Sequence, residues 1–301
     1  MSLVKPLIVR LPNHLGDACM ALPALELLAE HGFALTLAGR SWARDLFSVY
    51  PWTFVSFASS RIQALRALGI DKGLLLTNSF STALEFRLAG ISSTGYARNA
   101  RSWLLGKAIE VNVSHHMVEY YYKLASVLAG TSSDAPRDMR LHVGEPAQKR
   151  AHDLLATHGV DAPYIVLCPV AVGFHRGRMK AWDGFKRLNG ELLAAGRKVV
   201  AMPGPTETAT VRNALPGAIV LPESDVSTFG AVLAGSCLVV ANDSGPGHLA
   251  AAVGARLISV FGVTEPERTR PWSTRATLIG SGNGWPSYAE VRSAIDATLS
   301  G

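Results

Sequence analysis

Short β-branched runs alternate with longer amphipathic segments along the whole chain, the pattern of repeated strand–helix–strand units around a parallel sheet. In the first half, Leu7–Leu11, Ala34–Leu37, Thr53–Phe57, Gly73–Thr77 and Thr94–Ala97 predict strands. Two segments among them predict core-packing helices. Ala18–His31 carries Met20, Leu22, Leu25 and Leu28, and Met117–Leu128 places Met117, Tyr120, Tyr121, Leu124 and Val127 on one broad face. Over residues 130–146 the periodicity dissolves into turn-formers and mixed charges, which reads as a linker. The boundary expected there gives domains 1–140 and 141–301. The alternation then restarts, with strands at Tyr164–Cys168, Lys198–Met202, Ala218–Leu221, Leu238–Ala241 and Leu257–Phe261. A short strand near Ala276–Ile279 precedes a final helix at about Ser287–Ser300. The expected fold class is α/β, with two doubly wound parallel sheets facing each other.

Composition agrees with this layout and narrows the partners. A chain of 301 residues, 48% hydrophobic and 17% charged, is globular and long enough for two cores. The net charge of +6 favours anionic partners: phosphorylated sugars, acidic lipid head groups or nucleic acid. No recognition motif supports nucleic acid. Cys19, Cys168 and Cys237 are far apart among apolar neighbours, so they read as buried thiols of a reducing cytosol, without disulfide or metal spacing. Lys5, Pro6, Arg10 and Pro12 interrupt the first apolar run, which fails the signal-peptide pattern. The uncharged stretch Val226–Asn242 falls short of a membrane helix, so a cytoplasmic location is expected.

In an open parallel sheet, ligands collect beyond the carboxyl ends of the strands, where loops lead into helices. Three such junctions carry chemistry. The first is Pro-Asn-His-Leu-Gly-Asp at 12–17, where Asp17 either caps the following helix or presents its carboxylate to a ligand. The second is Asn-Asp-Ser-Gly-Pro-Gly-His at 242–248, a glycine-bearing loop whose backbone N–H groups and following helix suit a phosphate; a plain turn capped by Asp243 or Ser244 is the alternative. The third spans 169–182, where His175, Arg176, Arg178 and Lys180 crowd the exit of a strand and Lys180 is placed to meet a diphosphate; a solvated basic loop is the alternative. A Walker phosphate loop, a dinucleotide fingerprint, a nucleophile elbow and metal-ligand spacings are all missing from the sequence. No metal and no separate cofactor are therefore expected.

These blocks resemble the ADP-heptose:lipopolysaccharide heptosyltransferases, glycosyltransferase family 9. The resemblance covers nearly the whole chain. It rests on Leu-Gly-Asp followed by Ala-Leu-Pro-Ala at 15–24, and on Thr-Gly-Tyr with Arg98 and Arg101 at 94–105. Met-Lys-Ala-Trp at 179–182 and Asn-Asp-Ser-Gly-Pro-Gly-His with Val-Phe-Gly at 242–262 complete it. It implies the GT-B architecture, an N-terminal acceptor-side and a C-terminal nucleotide-sugar domain across a cleft. The implied reaction is inverting transfer of L-glycero-D-manno-heptose from ADP-heptose to the lipopolysaccharide inner core, without metal. By the same resemblance Asp17 is the general base. Lys180 holds the diphosphate, and Asn242, Asp243, Ser244, Gly245, Gly247 and His248 surround the donor, with Glu207 near its ribose. Arg98 and Arg101, then Arg40 and Arg61, are the expected acceptor contacts, and transient contact with the inner face of the inner membrane follows from a lipid-linked acceptor. This chain departs from the family where Phe-His-Arg-Gly-Arg-Met precedes the lysine and Asp183 follows Trp182. Competing expectations are another nucleotide-sugar enzyme of similar fold, such as an epimerase, and a non-catalytic two-domain receptor.

Overall fold

A computed structural model describes residues 4–56, 61–111, 115–161, 163–171, 174–175 and 177–300. The chain divides into two compact units, Met1–Pro136 and Arg137–Gly301.

The first unit begins with β1 (Lys5–Arg10), α1 (Leu15–Glu30), β2 (Phe33–Gly39), α2 (Trp42–Leu46), β3 (Thr53–Ser56) and α3 (Arg61–Ala67). It continues through β4 (Lys72–Leu75), α4 (Phe80–Leu88), β5 (Ser92–Tyr96), a 3-10 turn at Ser102–Leu104, β6 (Lys107–Ile109) and α5 (Met117–Ala129). Its strands form one parallel sheet in the order β3-β2-β1-β4-β5-β6. Helix α1 is buried on almost every side, because the sheet covers one flank and α5 packs on the other. That explains its nearly unbroken apolar sequence after Asp17. Helix α5 is stopped at both ends. His116 and Glu119 form a reciprocal cap at its start, and Gly130 closes it in the left-handed conformation at φ 72°. The short edge strand β6 was not anticipated, since Lys-Ala-Ile carries no alternation; it is recruited by pairing with β5. The expected strand end at Phe57 lies outside the described residues.

The second unit opens with α6 (Glu145–Thr157), β7 (Tyr164–Cys168), the two-residue strands β8 (Phe174–His175) and β9 (Arg178–Met179), and α7 (Phe185–Ala194). Then follow β10 (Lys198–Ala201), α8 (Thr208–Ala214), β11 (Ile219–Val220), α9 (Val226–Ala234), β12 (Leu238–Asn242) and α10 (Gly245–Ala252). The unit closes with β13 (Leu257–Phe261), α11 (Pro266–Thr269), β14 (Ala276–Gly280) and α12 (Tyr288–Ser300). The large sheet has the order β11-β10-β7-β12-β13-β14 and is parallel throughout. Strands β7, β12 and β13 are buried at every position, as strands covered by helices on both faces must be. Leu167, Phe185, Leu188, Val240, Ile258 and Ile295 are among the residues that fill this core.

Both large sheets therefore share one spatial order: third, second, first, fourth, fifth, sixth strand. The crevice of such a sheet lies between its first and fourth strands, where the connections diverge to opposite faces. In the first unit that point is β1/β4, and in the second it is β7/β12.

Helix α9 offers a test of local stability. Asp225 is its N-cap, accepting from the Thr228 backbone N–H at 2.8 Å and from the hydroxyls of Ser227 and Thr228. Burial alone would raise this carboxyl; the Ser227 and Thr228 bonds, with Arg150, outweigh it and hold the group at about 2. Asp225→Ala should cost about 1 kcal/mol of unfolding free energy at neutral pH. Because the folded value lies below the unfolded one, the cap's contribution is complete above the unfolded range. It is lost as pH falls towards about 2. Denaturant titrations of both proteins at neutral and acid pH should converge in acid.

Candidate functional site

In the first unit the β1 connection delivers Asp17. His14, not Asp17, occupies the cap position of α1, and it makes no side-chain capping bond. Asp17 is the third residue of the helix, so the capping reading is corrected: its Oδ1 instead accepts from the Tyr121 hydroxyl at 3.2 Å. Tyr121 lies on α5 and is buried. Burial, followed by the negative charge of Asp17 and the bond to it, holds this phenol well above its ordinary value. It therefore stays protonated and remains a donor to the carboxylate. Next to it, Tyr120 exchanges hydrogen bonds with Asn78 on the loop after β4, at 3.0 and 3.3 Å. Adjacent residues of α5 thus reach both sides of the β1/β4 crevice.

Arg101 does not reach solvent. It is 0% exposed; Nε donates to the Tyr96 carbonyl at 3.1 Å, Nη1 to the Thr77 carbonyl at 2.5 Å and Nη2 to Asn78 Oδ1 at 3.1 Å. Its place is that of a staple joining the exits of β4 and β5. Arg98 is exposed on the same turn, which continues through Asn99 and Ala100, both at φ 53°. Arg40 is exposed just beyond β2, and Arg61 pairs with Glu85 at 3.2 Å. Tyr121 and Arg10 were both missed by the sequence reading. Arg10, buried at the end of β1, donates to the Leu11 carbonyl and to Asn13 Oδ1, tying down the loop ahead of Asp17. Burial first, then the nearby Arg61 charge, lowers it to about 10, with Glu85 acting in the opposite sense. The available signal was a cation inside the apolar run Leu7–Leu11.

In the second unit the crevice is built from the loops after β7 and β12. Asn242 ends β12 fully buried; its Nδ2 donates to the Pro169 carbonyl at 2.7 Å and its Oδ1 accepts from the Trp182 N–H at 3.0 Å. This side chain locks the lysine-bearing loop against the glycine loop, so its place is internal and not on the ligand surface expected for it. Asp243 lies between the His248 imidazole and the Lys180 ammonium, with His248 Nε2 3.7 Å from Oδ1 and Lys180 Nζ 3.9 Å from Oδ2. Its burial would raise the carboxyl, but His248, Thr264 and Lys180 together hold it below the ordinary carboxylate range. The aspartate is thus charged at neutral pH, and it keeps the ammonium of half-buried Lys180 at the crevice.

Ser244 caps α10 in extended conformation, but its hydroxyl donates to the Asn242 carbonyl at 3.1 Å and accepts no helix N–H. In the first turn, Gly245-Pro246-Gly247, Pro246 carries no N–H, and the N–H groups of Gly245 and Gly247 are left without a side-chain cap among the described residues, at the positive end of the helix dipole. A Cβ on Gly247 would stand 3.3 Å from the Asn242 carbonyl oxygen, so the close approach of strand end and helix favours glycine here. His248 is buried, and its Nδ1 has no hydrogen-bond partner among the described residues. Glu207 is on the neighbouring β10 connection, where its Oε2 accepts from the Gly204 N–H at 3.0 Å. Its charge also reaches Cys168, whose thiol is raised to about 12, by burial first and then by Glu207. Cys19 is raised by burial and by Asp17. Cys19 and Cys168 are buried as expected, whereas Cys237 is only partly covered. Arg176 of the basic loop lies outside the described residues. Among the described residues, no three His, Cys, Asp or Glu side chains converge as a metal site.

Residues 59–295 match the profile of glycosyltransferase family 9 (heptosyltransferase). The chain belongs to this family. It is 30% identical over 237 residues to lipopolysaccharide heptosyltransferase 3 of Escherichia coli K12, covering 74% of this chain and 68% of that protein. In fold it is similar to Escherichia coli ADP-heptose lps heptosyltransferase II, with a TM-score of 0.82 at 23% identity over 98% of both chains. A structure described as E. coli heptosyltransferase WaaC with ADP matches 98% of this chain and 100% of that one, with a TM-score of 0.76 at 21% identity. This family 9 chain is thus a glycosyltransferase with two Rossmann-like α/β units of the GT-B type, the expected fold class. Its site residues fall at the first/fourth-strand crevice of each sheet, apart from Glu207 and the arginines, which lie on neighbouring connections.

Proposed function

We propose that this family 9 enzyme transfers L-glycero-D-manno-heptose from ADP-heptose to a hydroxyl of the lipopolysaccharide inner core, with inversion at the anomeric carbon. The observation that supports this most is the second crevice: an ammonium, a buried histidine and the uncapped N–H groups of a helix start, gathered where a parallel sheet binds nucleotides. Relatives named as lipopolysaccharide heptosyltransferases and a similar fold described with ADP support the same donor and acceptor.

The chemistry follows from the charges. As the acceptor oxygen bonds to the anomeric carbon, the bond to the diphosphate oxygen breaks and its electron pair leaves with ADP. Lys180 and the N–H groups of Gly245 and Gly247 meet the developing negative charge, which is the role usually given to preorganised donors. They supply this stabilisation without requiring a metal. The hydroxyl proton passes to the Asp17 carboxylate, which Tyr121 holds in place. Glu207 is assigned to the donor ribose, and Arg98, with Arg40 and Arg61, to anionic groups of the acceptor. Arg101, whose backbone N–H donates to the Arg98 carbonyl at 3.2 Å, supports that turn. The enzyme acts in the cytoplasm, where the acceptor is presented on the inner face of the inner membrane.

The decisive experiment incubates the enzyme with ADP-heptose and heptose-deficient lipopolysaccharide, with and without EDTA. A heptosylated product of inverted configuration and released ADP are expected in both. Epimerised nucleotide sugar without transfer would replace this reading by that of an epimerase, and loss of activity in EDTA would introduce a metal.

A further inference from the structure

We propose that the α3–α4 face of the first unit is a docking surface for an anionic lipid bilayer, with Trp103 as its interfacial anchor. This goes beyond the transfer reaction and does not depend on it. Helices α3 and α4 lie side by side, joined by the Arg61–Glu85 pair and by Arg66 Nη2 donating to the Leu88 carbonyl at 2.6 Å. The 3-10 turn adds Trp103, whose ring stands 6.1 Å from that of Phe80. These are the conspicuous exposed apolar side chains of the unit's middle: Trp103 is 72% exposed, Leu88 49% and Phe80 41%. A tryptophan left open beside two further exposed apolar side chains is unfavourable in water, and it suits the boundary between water and lipid.

Charge selects the occupant. Residues 61–107 hold seven Arg or Lys against two Asp or Glu, whereas the rest of residues 1–136 hold five against seven. The excess is therefore confined to the segment that forms this layer, not spread over the unit. Arg66, Lys72, Arg87, Arg98 and Lys107 are exposed, and Glu85, one of the two acids, is engaged by Arg61. Helices α1 and α5 pack together elsewhere in the unit and carry Glu26, Glu30 and Glu119. A cationic patch with an aromatic protrusion matches an anionic membrane surface, where each basic residue adds attraction that salt weakens. No helix among the described residues is long and apolar enough to cross a membrane, so the contact proposed is at the surface.

The test is co-sedimentation of the full chain with phosphatidylcholine vesicles, with and without phosphatidylglycerol. Binding should require phosphatidylglycerol and weaken with salt. Arg66→Glu with Arg87→Glu should lower vesicle affinity at least about tenfold. Trp103→Ser should lower it about fivefold while leaving affinity for the soluble polyanion heparin unchanged. Lys123→Glu, at an exposed position of the largely buried α5, should bind as the parent does, and all variants should keep the parent's thermal stabilisation by ADP, which shows that they fold. The proposal is overturned by equal binding to neutral and anionic vesicles, by full binding of Trp103→Ser, or by a loss in Lys123→Glu as large as in the double variant. It is equally overturned if heparin and vesicle binding fall together in Trp103→Ser.

Discussion

Asp17→Asn should reduce heptosyl transfer by about a thousandfold or more while leaving ADP affinity within a few-fold of the parent, because a positioned base contributes about 100- to 10,000-fold. The substitution keeps the shape of the side chain and an oxygen that can accept from Tyr121, so the packing of α1 on α5 is preserved. It removes only the capacity to take a proton. Tyr121→Phe is the informative companion. It keeps the carboxylate, deletes the hydroxyl that holds it, and should lower kcat by about tenfold with the donor KM unchanged, the scale of one hydrogen bond to a charged group. Steady-state kinetics with calorimetric ADP titration separates the two effects. Full turnover by Asp17→Asn would take this residue out of the mechanism.

Lys180→Ala should weaken ADP and donor binding about 10- to 100-fold, as expected for losing a charge-assisted contact to a diphosphate. The effect should appear in KM for the donor and in the calorimetric dissociation constant of ADP. Lys180 is partly exposed and Trp182, two residues on, is fixed by Asn242, so the loop should persist without the ammonium. Asp243 would keep His248 as a partner, which limits the cost of leaving a buried carboxylate there. Unchanged ADP affinity would show that the ammonium faces something other than the diphosphate.

Much of the fold was legible in the chain because buried parallel strands must be apolar at consecutive positions. Tyr164–Cys168 and Leu257–Phe261 have the predicted bounds for that reason. The strand β6 and the β8–β9 hairpin escaped notice because edge pairing and a two-residue ladder need no hydrophobic pattern. The site was legible only as residue types at strand exits. Asp17, Lys180 and the loop 242–248 stood out because a parallel sheet concentrates chemistry there, while the donor roles of Asp243 and His248 came from the family resemblance. Their neighbours divided in ways no local pattern encodes. Asn242 and Arg101, polar and next to the chemistry, face inward to bind carbonyl groups and side-chain amides. Tyr121, which reads as one more apolar position of a helix, turns out to hold the carboxylate.

By itself, then, the sequence determined the alternation of strands and helices, the two sheets and the loops that border their crevices, since each follows from short-range periodicity and turn chemistry. Only the tertiary structure decided which polar side chains of those loops remain open to a ligand. A buried donor or acceptor must be satisfied, and its partner here stands up to 104 positions away along the chain, as between Asp17 and Tyr121.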